Sequence, residues 1–502
     1  MPKLRLLESI LQPIINRLPT DVFALIPRSL TRKKGWQFEF PDNKPLIAMT
    51  HVCRSWRNVL VSTPSLWTQI DFSMSAESQQ AEGFLRRSGD QMLDIYQDLG
   101  GQDHIEPFLS ATLHNLFRLE GLTICSSLYH LEPLLRNFSA SAPELKHLEI
   151  QNNSVVEADT KLPKMFGGRM PKLTSLSLFW FRTNLRDLNL PSLTRFSFVT
   201  AAKISNRDLI SFFERCALLE FIQISLSYPP QKPAPPPRRR VCLAALQELR
   251  LDKTACTTGL LDRLILPKCT ERMLKGEFTG EAISAHGTPA AQILASSLDH
   301  LPVTRGMTKA VVMQSSCTFS GPSGNLSFWW FEGTRENVDA HFFTSFFPIS
   351  VRQIRELWIG QRTVSYFRSD RTSWEHTAAG LREAFEVLPN VEDLSIVGCK
   401  MEPFFQALGA TVDGGIFLPG LRKLVIYVGC GEMDASALIR CIKARKERFR
   451  PVGEVVVVWE KDPGVDAKRE MESLREFVGE LVYCVDKAPK LFWRGEENGW
   501  WV

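Results

Sequence analysis

Histidine and cysteine, the residues that most often carry chemistry in proteins, are scattered singly along this chain. None of the nine histidines has a partner four residues away, and the eleven cysteines contain no C-x-x-C pair, so the spacings typical of metal sites and redox pairs are missing. The G-x-S-x-G, H-E-x-x-H, G-x-x-x-x-G-K-[ST] and G-x-G-x-x-G motifs are also missing. His51 is better explained as a surface imidazole than as a base, and Cys53 as a buried thiol than as a nucleophile. The sequence therefore predicts a protein that is not an enzyme and has no metal or cofactor.

Length and charge define the broad class of the protein. The chain has 502 residues and 44% hydrophobic residues, which predicts an ordinary globular protein of two to four domains or a longer repeat array. The 60 basic and 55 acidic residues nearly cancel to a net charge of +5, so neither nucleic acid nor a membrane is expected as the main partner. No stretch approaches the roughly 18 apolar residues of a membrane span. Unpaired cysteines predict reduced thiols in a cytoplasmic or nuclear protein.

One apolar pattern recurs through most of the chain, with apolar residues at its first, fourth and sixth positions. The nine matches are LEGLTI at Leu119, LKHLEI at Leu145, LTSLSL at Leu173, LTRFSF at Leu193, LEFIQI at Leu219, LQELRL at Leu246, IRELWI at Ile354, VEDLSI at Val391 and LRKLVI at Leu421. The first six are 26, 28, 20, 26 and 27 residues apart. Steps of about 20–29 residues with this pattern are the signature of leucine-rich repeats.

Each match predicts a short strand whose fourth and sixth positions point into the core while the intervening residues face outward. Between strands the chain returns as a helix or a turn; the segment before Leu219 has apolar residues at helical spacing, at Leu209, Phe212, Phe213 and Cys216. The sequence therefore predicts an α/β chain whose repeats stack into a horseshoe-shaped solenoid over residues 91–485. The alternative is a set of unrelated strands in another α/β fold.

Two regions interrupt the pattern. Between residues 252 and 350 it fades, and TKAVVM and LSFWWF are the plausible strands of degenerate repeats. Residues 229–240, PPQKPAPPPRRR, predict an exposed proline-rich loop, with a ligand for a proline-binding domain as the alternative. Residues 486–502 form a C-terminal tail that contains three tryptophans.

The outward strand positions of a solenoid form a surface on which a partner can bind. Tryptophan, tyrosine and arginine dominate the energetics of protein interfaces. The predicted partner-binding residues are Arg195, Arg250, Trp358 and Tyr427. The basic clusters at residues 238–240 and 443–450 also suggest a nucleic-acid-binding scaffold, although a solvated loop and a solvated helix face explain them better.

Residues 15–73 predict a separate helical module after an amphipathic extension at residues 1–14. In HVCRSWRNVLVSTPSLWTQIDFS, which starts at His51, an apolar stripe at helical spacing ends before Pro64; it comprises Val52, Trp56, Val59 and Leu60. Upstream, Leu18 and Pro19 lead into a short helix, and a polar, basic connection follows at residues 31–45. A module of about 50 residues has too little core to bury this apolar surface. Part of the surface must face the repeats or another protein.

These residues carry a resemblance to a known family. Leu18-Pro19, Asp21-Val22 and VCRSWRNVLVSTPSLW resemble an F-box, and the whole chain is similar to the fungal F-box proteins with C-terminal leucine-rich repeats. The resemblance implies a three-helix module that docks on the Skp-type adaptor of a cullin–RING ubiquitin ligase. Carried over by position, the first adaptor contact comprises Leu18, Pro19, Val22, Phe23 and Ile26. Val52, Cys53 and Trp56 would supply a second adaptor contact or the module's internal core. Pro27 departs from the family pattern and predicts a kinked or shortened first helix.

The resemblance implies the function of a substrate-recognition subunit, in which the repeats hold a target protein for ubiquitin transfer by other subunits. The chain itself would catalyse nothing. The alternative is an interaction scaffold without a ligase role, whose N-terminal helices only cap the repeats.

Overall fold

A computed structural model describes 22 segments of the chain. They comprise residues 22–23, 25–26, 32–34, 39–41, 43–73, 75–99, 105–126, 131–152, 162–181, 183–200, 204–226, 240–251, 260–275, 306–313, 316–329, 351–360, 377–397, 401–412, 415–428, 433–448, 450–459 and 464–485. The fold is mixed α/β, with strands that are mostly parallel. The described residues divide into two compact units, the first ending at Thr200 and the second beginning at Ile204.

The first unit begins with helical residues at 22–23 and 25–26. Its helices are α1 (Lys44–Thr50), α2 (Arg54–Val61), α3 (Ser75–Arg87), α4 (Ile105–His114) and α5 (Leu131–Arg136). Its strands are β1 (Arg32–Lys34), β2 (Glu39–Pro41), β3 (Gln69–Asp71), β4 (Leu93–Leu99), β5 (Leu119–Ser126), β6 (His147–Asn152), β7 (Ser175–Phe179) and β8 (Arg195–Thr200).

The second unit contains the remaining described elements. Its helices are α6 (Asn206–Arg215), α7 (Ala378–Val387), α8 (Glu402–Gly409), α9 (Ala435–Glu447) and α10 (Gly464–Glu472). Its strands are β9 (Phe221–Leu226), β10 (Val241–Cys242), β11 (Glu248–Leu251), β12 (Leu264–Ile265), β13 (Glu271–Lys275), β14 (Lys309–Met313), β15 (Ser316–Gly321), β16 (Gly324–Trp329), β17 (Glu356–Gly360), β18 (Asp393–Val397), β19 (Thr411–Val412), β20 (Gly415–Ile416), β21 (Lys423–Val428), β22 (Glu454–Trp459) and β23 (Glu480–Val485).

In the first unit, strands β3 to β8 pair in chain order and all run parallel. Sequential parallel neighbours need a return segment between them. The helices α3, α4 and α5 supply it in the first half of this unit, and the short 3₁₀ segments Met165–Gly168 and Leu185–Asp187 supply it in the second half. Corresponding positions of successive repeats are therefore aligned across the sheet, and the outward side chains form continuous rows.

In the second unit, eleven strands pair in the order β9, β11, β13, β16, β15, β14, β17, β18, β21, β22, β23. All neighbours run parallel except the meander β14–β15–β16, which is antiparallel. The predicted strands TKAVVM and LSFWWF correspond to β14 and β16. The antiparallel strand between them, which the repeat pattern did not predict, lets the chain continue the parallel order on both sides.

All nine pattern matches form strands in this structure, as the sequence predicted. The first, fourth and sixth positions of every match are at most 4% exposed to solvent. Each match of the pattern thus contributes three buried apolar side chains. Helix α6 is also confirmed, since Ser205 caps its N-terminus and its predicted inward residues are buried, at Leu209, Phe212, Phe213 and Cys216.

A column of phenylalanines runs through the core of the first unit. The rings of Phe72, Phe108, Phe138 and Phe166 follow one another, with successive centroids 5.9, 6.2 and 5.7 Å apart. All four side chains are buried. Edge-to-face and tilted aromatic pairs at this spacing are favourable, so the column joins consecutive return segments on the side of the sheet that faces the helices.

One basic residue departs from the expectation for its cluster, while Lys443, Lys446, Arg448 and Arg450 are exposed as predicted. The 443–450 cluster was predicted to be a solvated helix face, but Arg445 of α9 is completely buried. Its guanidinium donates to the carbonyl oxygens of Leu408, Phe417 and Leu418, at 3.3, 2.8 and 2.7 Å. A long side chain can turn inward when carbonyl groups of a neighbouring loop need donors. Arg445 therefore fixes a loop instead of offering positive charge to a partner.

Candidate functional site

The helices α1 and α2 are joined by a three-residue connection, His51 to Cys53. Helix α1 begins after Asn43 with Pro45 in its first turn, where the missing N–H of proline costs nothing. Helix α2 begins only at Arg54, because Cys53 is its extended N-cap and the Cys53 Sγ accepts from the Trp56 N–H at 3.5 Å. Val52 was predicted to lie on this helix, and that prediction is wrong: it lies in the turn. The helix ends at Val61, before Pro64, as predicted.

The apolar stripe of α2 packs inside its own unit. The ring of Trp56 meets the buried ring of Phe23 edge to face, with centroids 4.9 Å apart. Leu60 is fully buried, and its carbonyl accepts from the Trp67 indole Nε1 at 2.8 Å. Trp67 in turn contacts Phe84 of α3, with centroids 4.8 Å apart. The helices are thus anchored to the first return segment of the sheet.

The predicted adaptor-binding residues fall into three groups. Leu18 and Pro19 lie outside the described residues. Phe23 is buried, while Ile26, Cys53 and Trp56 are half-buried. Val22 and Val52 are 41% and 59% exposed, large fractions for apolar side chains.

Leu25, which the sequence analysis did not select, is 58% exposed. Its spacing of three residues from Val22 places both side chains on one side of a helix, and this spacing was the signal that could have identified it. The exposed large apolar side chains among the described residues of the module are therefore Val22, Leu25, Val52 and Val61.

The connection at residues 31–45 contains regular structure that the sequence analysis missed. Strands β1 and β2 pair antiparallel, with Arg32 opposite Pro41. Pro45, predicted to end this connection, belongs to the first turn of α1. Pro27, which was predicted to kink the preceding helix, lies outside the described residues.

The outward face of the first unit carries a pocket of about 450 Å³. Six strands contribute to it, from Gln69 on β3 to Arg195 on β8. The register aligns Thr123, Glu149 and Ser177 in one row across β5, β6 and β7. His147, Ser175 and Arg195 lie in the next row, and they also line the pocket. The predicted partner-binding residue Arg195 is thus at the rim of a real depression.

The carboxyl and thiol groups of this face are poorly hydrated. Burial alone raises the pKa of Glu149 to about 8. Burial, the largest cause, and the neighbouring Glu149 raise the pKa of the Cys125 thiol to about 12. Burial also raises the pKa of Asp71 and of Asp98. Acidic groups therefore dominate the middle of this face.

On the outward face of the second unit, Trp358 and Tyr427 are brought together. Their rings stack with centroids 6.0 Å apart and planes 24° apart, across the intervening strand β18, where Ser395 is buried. The Lys309 ammonium lies 5.0 Å from the Trp358 ring centroid. Glu356 accepts from both the Trp358 indole and Lys309, at 2.5 and 2.7 Å. The two rings form an aromatic platform, and the charges of Lys309 and Glu356 beside it neutralise each other.

Arg250, the last predicted partner-binding residue, also lies on the outward face of the second unit. Its guanidinium stacks 5.1 Å from the centroid of Phe221 on the neighbouring strand, and it forms an ion pair with Glu248. Cation–π stacking and an ion pair hold the side chain in one orientation. The platform residues and Arg250 therefore lie on strands of one sheet, with other strands between them.

An edge of the second unit carries a wide groove of about 680 Å³ lined by arginines. They are Arg352, Arg355, Arg422 and Arg450. Glu392, on the same groove, pairs with Arg355 and Arg422, each at 3.6 Å. One carboxylate for four guanidinium groups leaves this edge positive. The sequence analysis did not identify the groove, because its arginines come from different turns of the chain.

Among the described residues, no helix combines the length and apolar character needed to cross a bilayer. The same residues contain no group of three or more histidine, cysteine, aspartate or glutamate side chains placed to hold a metal ion.

Comparison with known proteins gives no assignment. No protein-family model matches the sequence, and no curated protein matches it.

Proposed function

We propose that this chain is the substrate-recognition subunit of an SCF-type cullin–RING ubiquitin ligase. Residues 15–73 would be its F-box, which docks on the Skp-type adaptor. Residues 91–485 would form a leucine-rich-repeat solenoid that binds a target protein. This proposal originates from the sequence motifs of the N-terminal module and from the nine matches of the apolar pattern.

The observation that carries it is the group of exposed apolar side chains on the N-terminal module. Val22, Leu25 and Val52 are 41–59% exposed, while the neighbouring aromatic pair of Phe23 and Trp56 packs internally. Burying a fully exposed side chain of this type is worth about 1.5–3 kcal/mol, and about half of that is still to be gained at each of these three residues. A docked adaptor would remove this apolar surface from water.

The stacked strands support the second half of the proposal. In each repeat the apolar positions of the pattern face the core, while polar and aromatic side chains face outward in aligned rows. The Trp358–Tyr427 platform and oriented Arg250 are the residue types that dominate binding energies at protein interfaces. They are attached to strands, which position side chains more rigidly than loops.

The proposed mechanism is proximity. A receptor that holds the adaptor with one module and a target with another raises the effective concentration of target lysines near the charged ubiquitin carrier. The chain makes and breaks no covalent bond in this scheme. Transfer depends on the catalytic subunits of the ligase.

Co-purification of the full chain with a Skp-type adaptor tests the proposal. A double variant of the chain, Leu18→Ala with Pro19→Ala, is tested beside the wild type. Binding by the wild type that this variant loses would support the ligase role. A wild type that does not bind at micromolar concentration would contradict it and favour the scaffold alternative.

A further inference from the structure

The pocket on the outward face of the first unit contains a buried carboxyl oxygen without a hydrogen-bond partner among the described residues. The Glu149 Oε1 has almost no accessible surface and no hydrogen-bond partner among the described residues. An unpaired polar group in such a position costs free energy, and native structures keep few of them. Glu149 is also one of the residues that line the pocket. A ligand that donates hydrogen bonds to this carboxyl would remove that cost.

The pocket is roomy because its floor is built from small side chains. Gly121, Ser175 and Ser177 lie on three adjacent strands. A Cβ atom at Gly121 would come within 2.3 Å of the Asp94 Oδ1, so the missing side chain makes room for the Asp94 carboxylate. A second carboxylate thus projects over the floor of the pocket, and Arg195 lines the same pocket from β8.

Hydroxyl groups flank Glu149 on both sides. Thr123 on β5 and Ser177 on β7 are its direct register neighbours, about 4.8 Å away along the pairing direction. One carboxyl and two hydroxyls therefore provide three acceptor groups in one row across the pocket. An ammonium group has three rotatable donors and a compact charge, whereas a guanidinium requires a planar fork of acceptors. A metal ion fits less well, because no three metal-ligating side chains converge among the described residues.

We propose that this pocket binds a primary ammonium group, with Glu149 as the counter-ion and Thr123 and Ser177 as further acceptors. The ammonium can come from a lysine side chain of a protein or from a free diamine. That the lysine belongs to a ligase target rests on the proposed function, while the amine chemistry of the pocket does not.

Titration calorimetry of the full chain without any adaptor tests the chemistry. The probes are n-butylamine, Nα-acetyl-lysine methylamide and 1,5-diaminopentane, with n-butanol and the Nε-acetylated lysine derivative as neutral controls. The wild type is expected to bind the amines and not the neutral probes. Glu149→Gln should weaken amine binding at least tenfold, and Glu144→Gln, which removes a half-buried carboxyl paired with Lys172, should not.

Comparison of the probes identifies the source of the ammonium. Tighter binding of the lysine derivative than of the diamine would indicate a protein lysine, and the reverse order would indicate a free diamine. Equal heats for n-butylamine and n-butanol, or unchanged binding by Glu149→Gln, would overturn the proposal. Failure of adaptor binding would leave these results intact, because the adaptor is absent from this experiment.

The pH dependence provides an independent readout. Because Glu149 must lose its proton to pair with an ammonium, wild-type affinity should rise between pH 6 and 8. The other titratable and charged groups on the surrounding strands are Asp71 on β3, Asp94, Tyr96 and Asp98 on β4, Cys125 on β5, His147 on β6 and Arg195 on β8. The residual slope in Glu149→Gln measures the contribution of these other groups. A wild-type slope no steeper than that of the variant would contradict the assignment to Glu149.

Discussion

The rings of Phe23 and Trp56 meet edge to face, with centroids 4.9 Å apart and an interplanar angle of 66°. Sequence resemblance implied an adaptor contact for Phe23, and either an adaptor contact or a place in the module's internal core for Trp56. In the structure they contact each other, and Phe23 is buried. The pair therefore packs within the module, while Val22, Leu25 and Val52 are exposed on its surface.

Substitution of Trp56 by alanine is expected to destabilise the N-terminal module. The variant loses an aromatic pair and a partly buried side chain, which together are worth about 2–4 kcal/mol. Hydrogen exchange of residues 43–61 should become faster, and β6 to β8 should keep their protection. Unchanged exchange at 43–61 would mean that the pair contributes nothing to the fold.

Glu149 should make the protein less stable as the pH rises. Its pKa is about 8 in the folded protein and near the ordinary glutamate value when unfolded, so the folded state binds more protons between these values. Its contribution is then most favourable below about pH 4.5, is lost as the pH rises to 8, and is constant above 8. The slope approaches about 1.4 kcal/mol per pH unit at most.

Urea unfolding of the wild type and Glu149→Gln at pH 5 and pH 8 measures this effect. The wild type should lose stability relative to the variant between the two values, because glutamine cannot ionise. A constant difference between the two proteins would mean that the carboxyl of Glu149 is well solvated or paired.

Arg445 should behave as a structural residue. Replacement by alanine leaves the carbonyl groups of Leu408, Phe417 and Leu418 without this donor and opens a cavity, which we expect to cost about 3–5 kcal/mol. Lys443 lies on the same helix with an exposed side chain, so Lys443→Ala should stay within about 0.5 kcal/mol of wild type. Thermal unfolding of both variants measures this difference in stability. Equal shifts of the melting temperature would contradict the structural role of Arg445.

The strands were predictable wherever the apolar pattern was complete. All nine matches form strands because three apolar side chains at this spacing can be buried together only in such a unit. The same spacing occurs at Val452, just before β22, and at Val455 and Val457 within it, and it was not recognised from sequence. In β13 it is hidden, because Arg272 occupies the fourth position between Cys269 and Leu274 and is buried all the same.

Other features depend on contacts that no local pattern contains. The meander β14–β15–β16 inverts one strand, and its pairing with β13 and β17 is settled by tertiary packing. The stack of Trp358 on Tyr427 joins residues 69 positions apart in the chain. Glu149 looked like any outward residue, since its desolvation arises from the walls that neighbouring strands build around it. Sequence periodicity predicts which residues face outward, but not which of them share a pocket.

The central claim is most directly tested by a calorimetric titration of a Skp-type adaptor into three forms of the full chain. They are the wild type, Leu25→Asp and the matched control Leu218→Asp, whose leucine is 54% exposed in the second unit. The account predicts micromolar or tighter binding by the wild type and the control, and at least tenfold weaker binding by Leu25→Asp. Absence of wild-type binding, or equal affinity of the three forms, would contradict docking through the N-terminal module.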